Sequence, residues 1–232
     1  MELSVVLPAY KEAENLVNIL PKLQKELSII EHEIVVVDTI EPTDNSERVC
    51  FENNVRYIRR ENGNNYGDAI RTGILFAEGK YIIIMDADGS HKPEDAKRLY
   101  DTIVNNDCDV VIGSRYCSGG YTDNGFILKL MSRCLNIAYK VVFGLKVKDV
   151  SDSFRAYKSE QLRHLKLECD NFDIVEEILI RLNYSIKNFI AIEIPISFNK
   201  RQFGESKRDL IKFIGSYLKT MRRLLSIRKD CL

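Results

Sequence analysis

The stretch Tyr81-Ile82-Ile83-Ile84-Met85-Asp86-Ala87-Asp88 carries the clearest information about the fold of this chain. A run of apolar, largely β-branched residues predicts a buried strand, and two carboxylates follow it, one residue apart. In open α/β sheets, ligands bind at the carboxyl ends of the strands. Two hard oxygen ligands there suit Mg²⁺ or Mn²⁺, which often shares phosphate oxygens with a substrate. We therefore expect an α/β fold with a metal site at Asp86 and Asp88. The alternative is that acidic residues simply favour the turn.

Short apolar runs alternate with helical patterns through the first half of the chain. Strands are predicted at Leu3–Leu7, Glu33–Asp38, Val55–Arg59, Tyr81–Asp86 and Asp109–Ser114. Helices are predicted between them at Ala13–Ser28, Asn45–Glu52, Gly67–Ala77 and Glu94–Asn105. This order predicts βαβ units and a mainly parallel central sheet flanked by helices. The strands are almost wholly apolar, as expected when helices cover both faces.

The pattern changes after Tyr116. The later predicted elements are an amphipathic helix at Phe126–Phe143, a strand or edge segment at Ser153–Lys158, helices near Gln161–Leu165 and Phe172–Asn183, a strand at Phe189–Ile196 and a last helix from about Arg208 to Ile227. No linker separates these elements, so we expect one domain over residues 1–232 with a C-terminal elaboration.

The composition is that of an ordinary globular protein, with 45% hydrophobic residues among 232 and a formal net charge of zero. This balance does not indicate nucleic acid binding. The charge is unevenly distributed, however, because residues 197–232 contain ten basic and three acidic side chains. Such asymmetry predicts a basic C-terminal segment that faces an anionic surface or ligand.

The six cysteines show neither C-x-x-C spacing nor pairing with histidines at zinc-ligand spacing. We interpret them as free thiols in a reducing compartment. The first residues lead directly into a strand without a signal peptide pattern. No run approaches the about 18–20 apolar residues of a membrane-spanning helix. These features predict a cytoplasmic protein.

Polar residues follow several predicted strands. Pro8 closes the first strand, and Tyr10 and Glu12 lie on the turn after it, where a ring suits base stacking and a carboxylate suits a ribose or base hydrogen bond. Asp38 ends the second strand, and Arg115 follows the fifth. Together with the paired aspartates, these residues predict a cleft for a nucleotide and a metal ion. A dinucleotide-binding dehydrogenase is not indicated, because no G-x-G-x-x-G follows the first strand.

The ordered motifs resemble those of the family 2 inverting glycosyltransferases of GT-A fold. They are Pro8-x-Tyr10-x-Glu12-x-x-Asn15, Asp38, Asp86-Ala87-Asp88-x-Ser90-His91, Gly113-Ser114-Arg115-Tyr116, Asp149–Tyr157 and Ile194–Lys207. The last two are similar to segments of the dolichol-phosphate mannose synthases and other polyprenyl-phosphate sugar synthases. The resemblance implies transfer of a hexose from a nucleotide sugar to polyprenyl or dolichyl phosphate, supplying lipid-linked sugar for protein glycosylation. It favours GDP-mannose as the donor.

The resemblance also implies roles for individual residues. The nucleoside is expected to contact Pro8, Tyr10, Glu12 and Asp38. Asp86 and Asp88 are expected to hold Mg²⁺ or Mn²⁺ on the diphosphate, with Asp86 also part of the nucleotide site. The acceptor phosphate is expected to contact Arg115, Ser132, Arg133, Arg201 and Lys207. The catalytic set is Asp88, Arg115 and Arg201. For each arginine, the alternative is a solvated surface charge.

A phosphate monoester has a second pKa of about 6, so a lipid phosphate is largely dianionic at neutral pH. A strong general base is therefore unnecessary, and cationic side chains that position the attacking phosphate matter more. Among the histidines only His91 is close to the predicted site, and we interpret it as structural.

The sequence departs from the family pattern at two places. Thr39 stands where a second acid usually follows Asp38, so a UDP-sugar carrying glucose or N-acetylglucosamine is an alternative donor. Asp152-Ser153 replaces the usual Gly-Ser or Ser-Gly, which adds a carboxylate near the acceptor site. Asp152 either orients the sugar or caps a turn.

We divide the chain into a donor half (1–116), an acceptor half (117–206) and a basic amphipathic C-terminal helix (207–232). Such a helix lies in a membrane interface or packs on the domain. The lipid acceptor favours a protein lying peripherally on the cytoplasmic face of a membrane, bound directly or through a membrane partner subunit. A catalytically weak membrane-associated scaffold is the alternative from another class, against which the Asp86 and Asp88 pair argues.

Overall fold

A computed structural model of the chain describes residues 1–200 and 219–226. The first half contains β1 (Leu3–Pro8), α1 (Ala13–Glu26), β2 (His32–Asp38), α2 (Ser46–Glu52), β3 (Arg56–Arg59), α3 (Tyr66–Phe76), β4 (Tyr81–Ile84), α4 (Pro93–Asn106) and β5 (Val110–Ser114). The second half contains β6 (Tyr121–Thr122), α5 (Phe126–Phe143), β7 (Arg155–Lys158), α6 (Ser159–Arg163), α7 (Ile174–Ser185), β8 (Ala191–Pro195) and β9 (Ser197–Phe198). Residues 219–226 are helical.

Seven strands form the central sheet in the order β3-β2-β1-β4-β7-β5-β8. All neighbouring pairs are parallel except those that β7 makes with β4 and β5. Alternate strand residues point to opposite faces, so Val6 and Ile82 belong to one buried cluster and Val5 and Ile83 to another. Helices α3, α5 and α7 cover the first face, and α1 and α4 cover the second. The expected mainly parallel sheet, flanked by helices, is confirmed.

Of the strand or edge segment expected at Ser153–Lys158, the strand is confirmed as β7, and its interior position shows that the edge alternative was wrong. β7 pairs antiparallel with β4 on one side and with β5 on the other. Its Arg155 is fully buried, and the guanidinium donates to the carbonyl oxygens of Val150 and Val175 at 2.6 and 3.0 Å. These bonds provide partners for both terminal nitrogens of a buried charged group, which reduces the cost of burying it.

β4 ends earlier than predicted, at Ile84 rather than Asp86. The backbone N–H of Met85 still donates to the carbonyl of Val6 at 3.0 Å. The N–H of Asp86 donates instead to Nδ1 of His91, at 3.2 Å. The hydrogen bonds between β4 and its neighbouring strand β1 therefore end at Met85. The two carboxylates therefore lie on a turn rather than within the strand.

The predicted C-terminal helix is described only in part. Over residues 219–226, Leu224 is buried in the core, and the hydroxyl of Thr220 donates to Oδ2 of Asp173. This part of the helix packs on the domain, which was one of the two alternatives. The rest of the prediction from Arg208 to Ile227 lies outside the described residues.

Two further expectations concern thiols and membrane spans. Cys50, Cys108, Cys117, Cys134 and Cys169 are free, and Cys231 lies outside the described residues. No helix in the described part of the chain combines the length and hydropathy that crossing a bilayer requires. The division into donor and acceptor halves remains a prediction.

Candidate active site

A cavity of about 250 Å³ opens at the carboxyl ends of β1 and β4. It brings together five of the residues that sequence analysis selected, which are Pro8, Tyr10, Glu12, Asp86 and Asp88. The lining residues with polar or aromatic side chains that were not selected are Arg60, Asn64, Tyr66 and Phe172. Of the strand ends expected in the cleft, those of β1 and β4 line this cavity, and α3 and the loop before α7 contribute Tyr66 and Phe172.

The turn between β1 and α1 forms the rim of this cavity. Lys11 adopts a left-handed conformation with φ +59°, which turns the chain sharply between Tyr10 and Glu12. Tyr10 is 56% exposed, so its ring is accessible to a ligand. Glu12 accepts a hydrogen bond from Nδ2 of Asn15 at 2.5 Å. Nη2 of Arg60 donates to the carbonyl of Ala9 at 2.6 Å and fixes the start of the turn.

Asp38 is buried at the end of β2, with 1% of its surface exposed. One carboxylate oxygen accepts from the backbone N–H of Thr39 at 2.7 Å, and the other accepts from the Tyr57 hydroxyl at 3.0 Å. Burial and the Asp38 carboxylate raise the pKa of Tyr57, so the phenol remains a donor. Asp38 is not among the described residues that line the cavity, and its contact with a nucleoside remains a prediction.

Asp86 and Asp88 lie at the floor of the cavity. Oδ1 of Asp86 accepts from the Tyr66 hydroxyl at 2.9 Å, and Oδ1 of Asp88 accepts from the backbone N–H of Ser90 at 3.0 Å. Burial raises the pKa of Asp86, and His91 opposes this effect while the Asp88 carboxylate adds to it. A bound cation would favour the charged carboxylates and so offset both the cost of burying Asp86 and the repulsion between the two aspartates.

The carboxylates of Asp86 and Asp88 fit Mg²⁺ or Mn²⁺ bound partly by the protein and partly by other ligands. Among the described residues, no group of three His, Cys, Asp or Glu side chains is placed to hold a metal ion. Mg²⁺ usually binds through one or two carboxylates together with waters and substrate phosphates. Asp86 and Asp88 supply that kind of partial site.

Arg115, at the end of β5, is buried and paired with acidic residues. Nε and Nη2 donate to the two carboxylate oxygens of Asp149 at 2.8 and 2.7 Å. Nε also lies 3.1 Å from Oδ2 of Asp152. Burial alone lowers the pKa of Arg115, but the two carboxylates outweigh this and raise it. The side chain thus organises the loop before β7, and its contact with an acceptor phosphate remains a prediction.

Ser132 and Arg133 of α5 lie beside this loop. Nη2 of Arg115 donates to the hydroxyl of Ser151 at 2.8 Å, and the hydroxyl of Ser132 is 3.3 Å from that same oxygen. The guanidinium of Arg133 is exposed and lies 5.6 Å from the centre of the Tyr116 ring. Ser132 is therefore linked to Arg115 through Ser151, and the guanidinium groups of Arg133 and Arg115 both lie near the Tyr116 ring. Arg201 and Lys207 lie outside the described residues.

Two features of the site had no clear signal in the sequence. Tyr66 precedes the helix predicted at Gly67–Ala77 by one residue, and an aromatic residue beside such a segment usually indicates core packing. The pairing of Asp149 with Arg115 joins residues far apart in the chain, so no local pattern reveals it. For Tyr66, its position after the helix-capping Asn65 was the only available indication.

Comparison with known proteins agrees with these features. The sequence model of glycosyl transferase family 2 matches residues 4–166. The chain is 33% identical to a dolichol-phosphate mannosyltransferase of Pyrococcus furiosus, over 97% of this chain and 64% of that protein. It is 29% identical to an undecaprenyl-phosphate mannosyltransferase of Micrococcus luteus, over 89% of this chain and 87% of that protein. The chain thus spans slightly less than two thirds of the Pyrococcus relative's length.

Solved structures agree with the fold. Glucosyl-3-phosphoglycerate synthase from Mycobacterium tuberculosis, in complex with Mn²⁺, UDP and glucosyl-3-phosphoglycerate, aligns with a TM-score of 0.74 at 18% identity, over 98% of this chain and 79% of that chain. The same enzyme with Mg²⁺ and UDP gives a TM-score of 0.73 at 17% identity, over 97% and 78%. At this identity the likeness shows the fold alone, and it confirms the expected GT-A fold.

Proposed function

The chain belongs to glycosyl transferase family 2, and we propose from this premise that it transfers a hexose from a nucleotide sugar to polyprenyl phosphate with inversion. GDP-mannose is the favoured donor and dolichyl phosphate the favoured acceptor, as in lipid-linked sugar supply for protein glycosylation. The observation that carries the proposal is the cavity in which Tyr10, Glu12, Asp86 and Asp88 converge. The names of the two polyprenyl-phosphate mannosyltransferase relatives support the acceptor class.

The residues of the cavity divide the donor between them. The exposed Tyr10 ring offers a stacking surface for the base, and Glu12 offers a carboxylate for the ribose or base. Asp86 and Asp88 would hold Mg²⁺ or Mn²⁺ on the diphosphate. Such a cation, when bound, neutralises charge on the leaving nucleoside diphosphate. The floor of the cavity is thus assigned to the diphosphate, and the rim to the nucleoside.

The acceptor is placed on the side of Arg115. A dianionic lipid phosphate needs orientation and charge compensation rather than a strong base. The exposed Arg133 and the Ser132 hydroxyl are suitable contacts, and Arg115 lies close by in its pairs with Asp149 and Asp152. Arg201 and Lys207 remain candidates for the same phosphate.

Membrane attachment is proposed through α5. Four apolar side chains at helical spacing form an exposed stripe on this helix, with 52–76% of their surface accessible. They are Ile127, Leu130, Ile137 and Val141. The opposite face buries Tyr139 and Phe143 in the core. An apolar stripe that stays exposed while the opposite face of the helix packs in the core is typical of a surface that binds a partner or a membrane.

Basic side chains accompany this stripe, since Lys129, Arg133 and Lys140 belong to the same helix. Apolar residues flanked by basic ones suit the boundary between anionic headgroups and acyl chains. Ser132 and Arg133 connect the stripe to the acceptor side of the site. We therefore place α5 on the cytoplasmic face of a membrane, where a lipid phosphate can reach Arg115.

The experiment supplies GDP-mannose, UDP-glucose and UDP-N-acetylglucosamine, each labelled in the sugar, together with polyprenyl phosphate and Mg²⁺ or Mn²⁺. Label should enter the organic phase with one donor. Asp88→Asn should lower the rate about 100-fold or more. Asp101→Asn, which alters an exposed pair with Lys97 on α4, is the matched control and should keep the rate. If no donor labels the lipid while nucleotide still binds, the scaffold alternative replaces the enzyme.

The same panel decides the donor base. Thr39 lacks the carboxylate usual at its position, and its hydroxyl donates to the carbonyl of Glu41 at 2.8 Å. This observation favours a UDP-sugar as the second candidate donor. Preferential transfer from a UDP-sugar would replace GDP-mannose in the proposal.

A further inference from the structure

The hydroxyl of Tyr66 reaches across the cavity floor to Asp86. It donates to Oδ1 of Asp86 at 2.9 Å, while the backbone N–H of Asp86 donates to Nδ1 of His91 at 3.2 Å. The Asp86 residue is therefore held both through its side chain and through its backbone. Only the first of these bonds determines how the carboxylate is rotated.

The ring of Tyr66 is itself fixed by stacking. Its centroid lies 4.3 Å from that of Phe172, with an angle of 26° between the ring planes. Both rings line the cavity. Stacking of this kind favours one orientation of the phenol ring, in which the hydroxyl is directed at Asp86.

The backbone around Tyr66 is clamped as well. The side chain of Asn65 accepts from the N–H of Asp68 at 2.8 Å and caps α3. The N–H of Gly67 donates to the carbonyl of Asp170 at 2.8 Å, which ties the start of α3 to the loop that carries Phe172. The relative positions of Tyr66 and Phe172 are consequently fixed by hydrogen bonds that involve neither ring.

We propose that Tyr66 is a positioning residue whose hydroxyl holds Asp86 in the orientation that binds the metal–nucleoside diphosphate. Phe172 serves this arrangement by holding the Tyr66 ring. The inference rests on the proposed function, because it assigns a task to Tyr66 only if the cavity binds a nucleotide with a divalent cation. A partner that orients a metal-binding carboxylate typically changes metal affinity by about 10–100-fold when it is removed.

The test measures binding of Mn²⁺ in the presence of saturating GDP or UDP, from the electron paramagnetic resonance signal of free Mn²⁺. Tyr66→Phe keeps the stacked ring and removes the hydroxyl. It should raise the Kd for Mn²⁺ about tenfold or more, with a similar rise in the Mn²⁺ concentration needed for half-maximal activity. Nucleotide binding without metal should stay within about twofold. Tyr100→Phe, which alters a phenol on α4 next to Tyr81, is the control and should leave both affinities unchanged.

A double-mutant cycle separates positioning from a general structural effect. In an Asp86→Asn background, Tyr66→Phe should cause no further loss of nucleotide affinity in Mn²⁺, because the hydroxyl acts through the Asp86 carboxylate. Equal Mn²⁺ affinity of wild type and Tyr66→Phe would overturn the inference and leave the proposed function intact. If the wild-type protein binds nucleotide without any metal dependence, the metal-dependent donor site is wrong and the inference falls with it.

Discussion

Nε2 of His91 lies 3.2 Å from Oδ1 of Asp152, and both side chains are fully buried. Nδ1 of His91 accepts from the backbone of Asp86, and Oδ2 of Asp152 lies 3.1 Å from Nε of Arg115. A continuous set of polar contacts therefore joins the predicted metal site to the predicted acceptor site. Asp152 also accepts from the N–H of Phe154 at 2.9 Å, which is the turn-capping alternative of the two given for it. His91 occupies a structural position, as the sequence indicated.

Neutralising Asp152 should weaken this connection. Asp152→Asn removes a buried charge that faces Arg115 and His91, so we expect a loss of about 2–3 kcal/mol in the free energy of unfolding, measured with urea. Asp107→Asn is the matched control, because Asp107 pairs with Lys158 while remaining largely exposed. Its effect should stay below about 0.5 kcal/mol. Equal losses in the two variants would show that the buried contacts contribute little.

Gly67 should tolerate no side chain. A Cβ there would collide with the carbonyl oxygen of Cys169 and lie 2.9 Å from Cα of Asp170. We expect Gly67→Ala to lower the free energy of unfolding by about 1–3 kcal/mol and to weaken nucleotide binding, because the loop bearing Phe172 must shift. Gly125→Ala provides the comparison, since a Cβ at that position meets no atom within 4 Å. A stable Gly67→Ala protein with unchanged nucleotide affinity would contradict this close packing.

Glu176 of α7 should make stability depend on pH. Its two carboxylate oxygens have no hydrogen-bond partner among the described residues, and burial raises its pKa from 4.5 to about 8, with Arg155 opposing the shift. Between these values the folded state binds more protons than the unfolded state, so this group's contribution to stability falls as pH rises.

Glu176→Gln removes that dependence. The stability of the variant relative to wild type should increase from about pH 5 to pH 8 and then level off, as measured by urea unfolding across pH 5 to 9. Glu160→Gln, at an exposed position on α6, should follow the wild-type curve in parallel. A constant difference between Glu176→Gln and wild type would mean that Glu176 is ionised in the folded protein.

The exposed stripe of α5 should control membrane binding. Ile137 is 62% exposed, so Ile137→Glu should leave the unfolding midpoint nearly unchanged. It should lower co-sedimentation with vesicles of anionic phospholipid several-fold, because a charge replaces an apolar contact. Phe51→Glu on α2 is the control, since Phe51 is 84% exposed on another helix. Equal binding of the two variants would place the membrane surface elsewhere.

The parallel part of the sheet was predictable because the strands and the helix of each βαβ unit follow one another directly in the sequence. The same regularity brought Pro8, Tyr10, Glu12 and the two aspartates of the floor to one edge, since carboxyl ends of parallel strands meet there. The bounds of α5 agree with the amphipathic pattern from Phe126 to Phe143. Local periodicity was sufficient wherever neighbours in sequence are neighbours in space.

Tertiary contacts decided what the sequence left out. The pairing of β7 with β4 joins Ile83 to Ala156, and nothing in a short window of sequence specifies such a partner. The same limit applies to Arg115, whose charge suggested phosphate binding while its nearest contacts are Asp149 and Asp152. The hydrogen bond from the Tyr57 hydroxyl to Asp38 is a further contact between strands that no local pattern reveals, and contact of Asp38 with a nucleoside remains a prediction.

The insertion of β7 also sets the order in which the protein can assemble as it is synthesised. β5 has two neighbours in the sheet, β7 and β8, and both follow it in the chain. A growing chain that has reached residue 116 therefore has an open edge on β4 and a β5 without a partner strand. The free edge of β4 should be covered only after residue 158, the last of β7, has left the ribosome. A pause in translation between residues 116 and 158 would therefore expose the apolar β4 and β5 to chaperones or to aggregation.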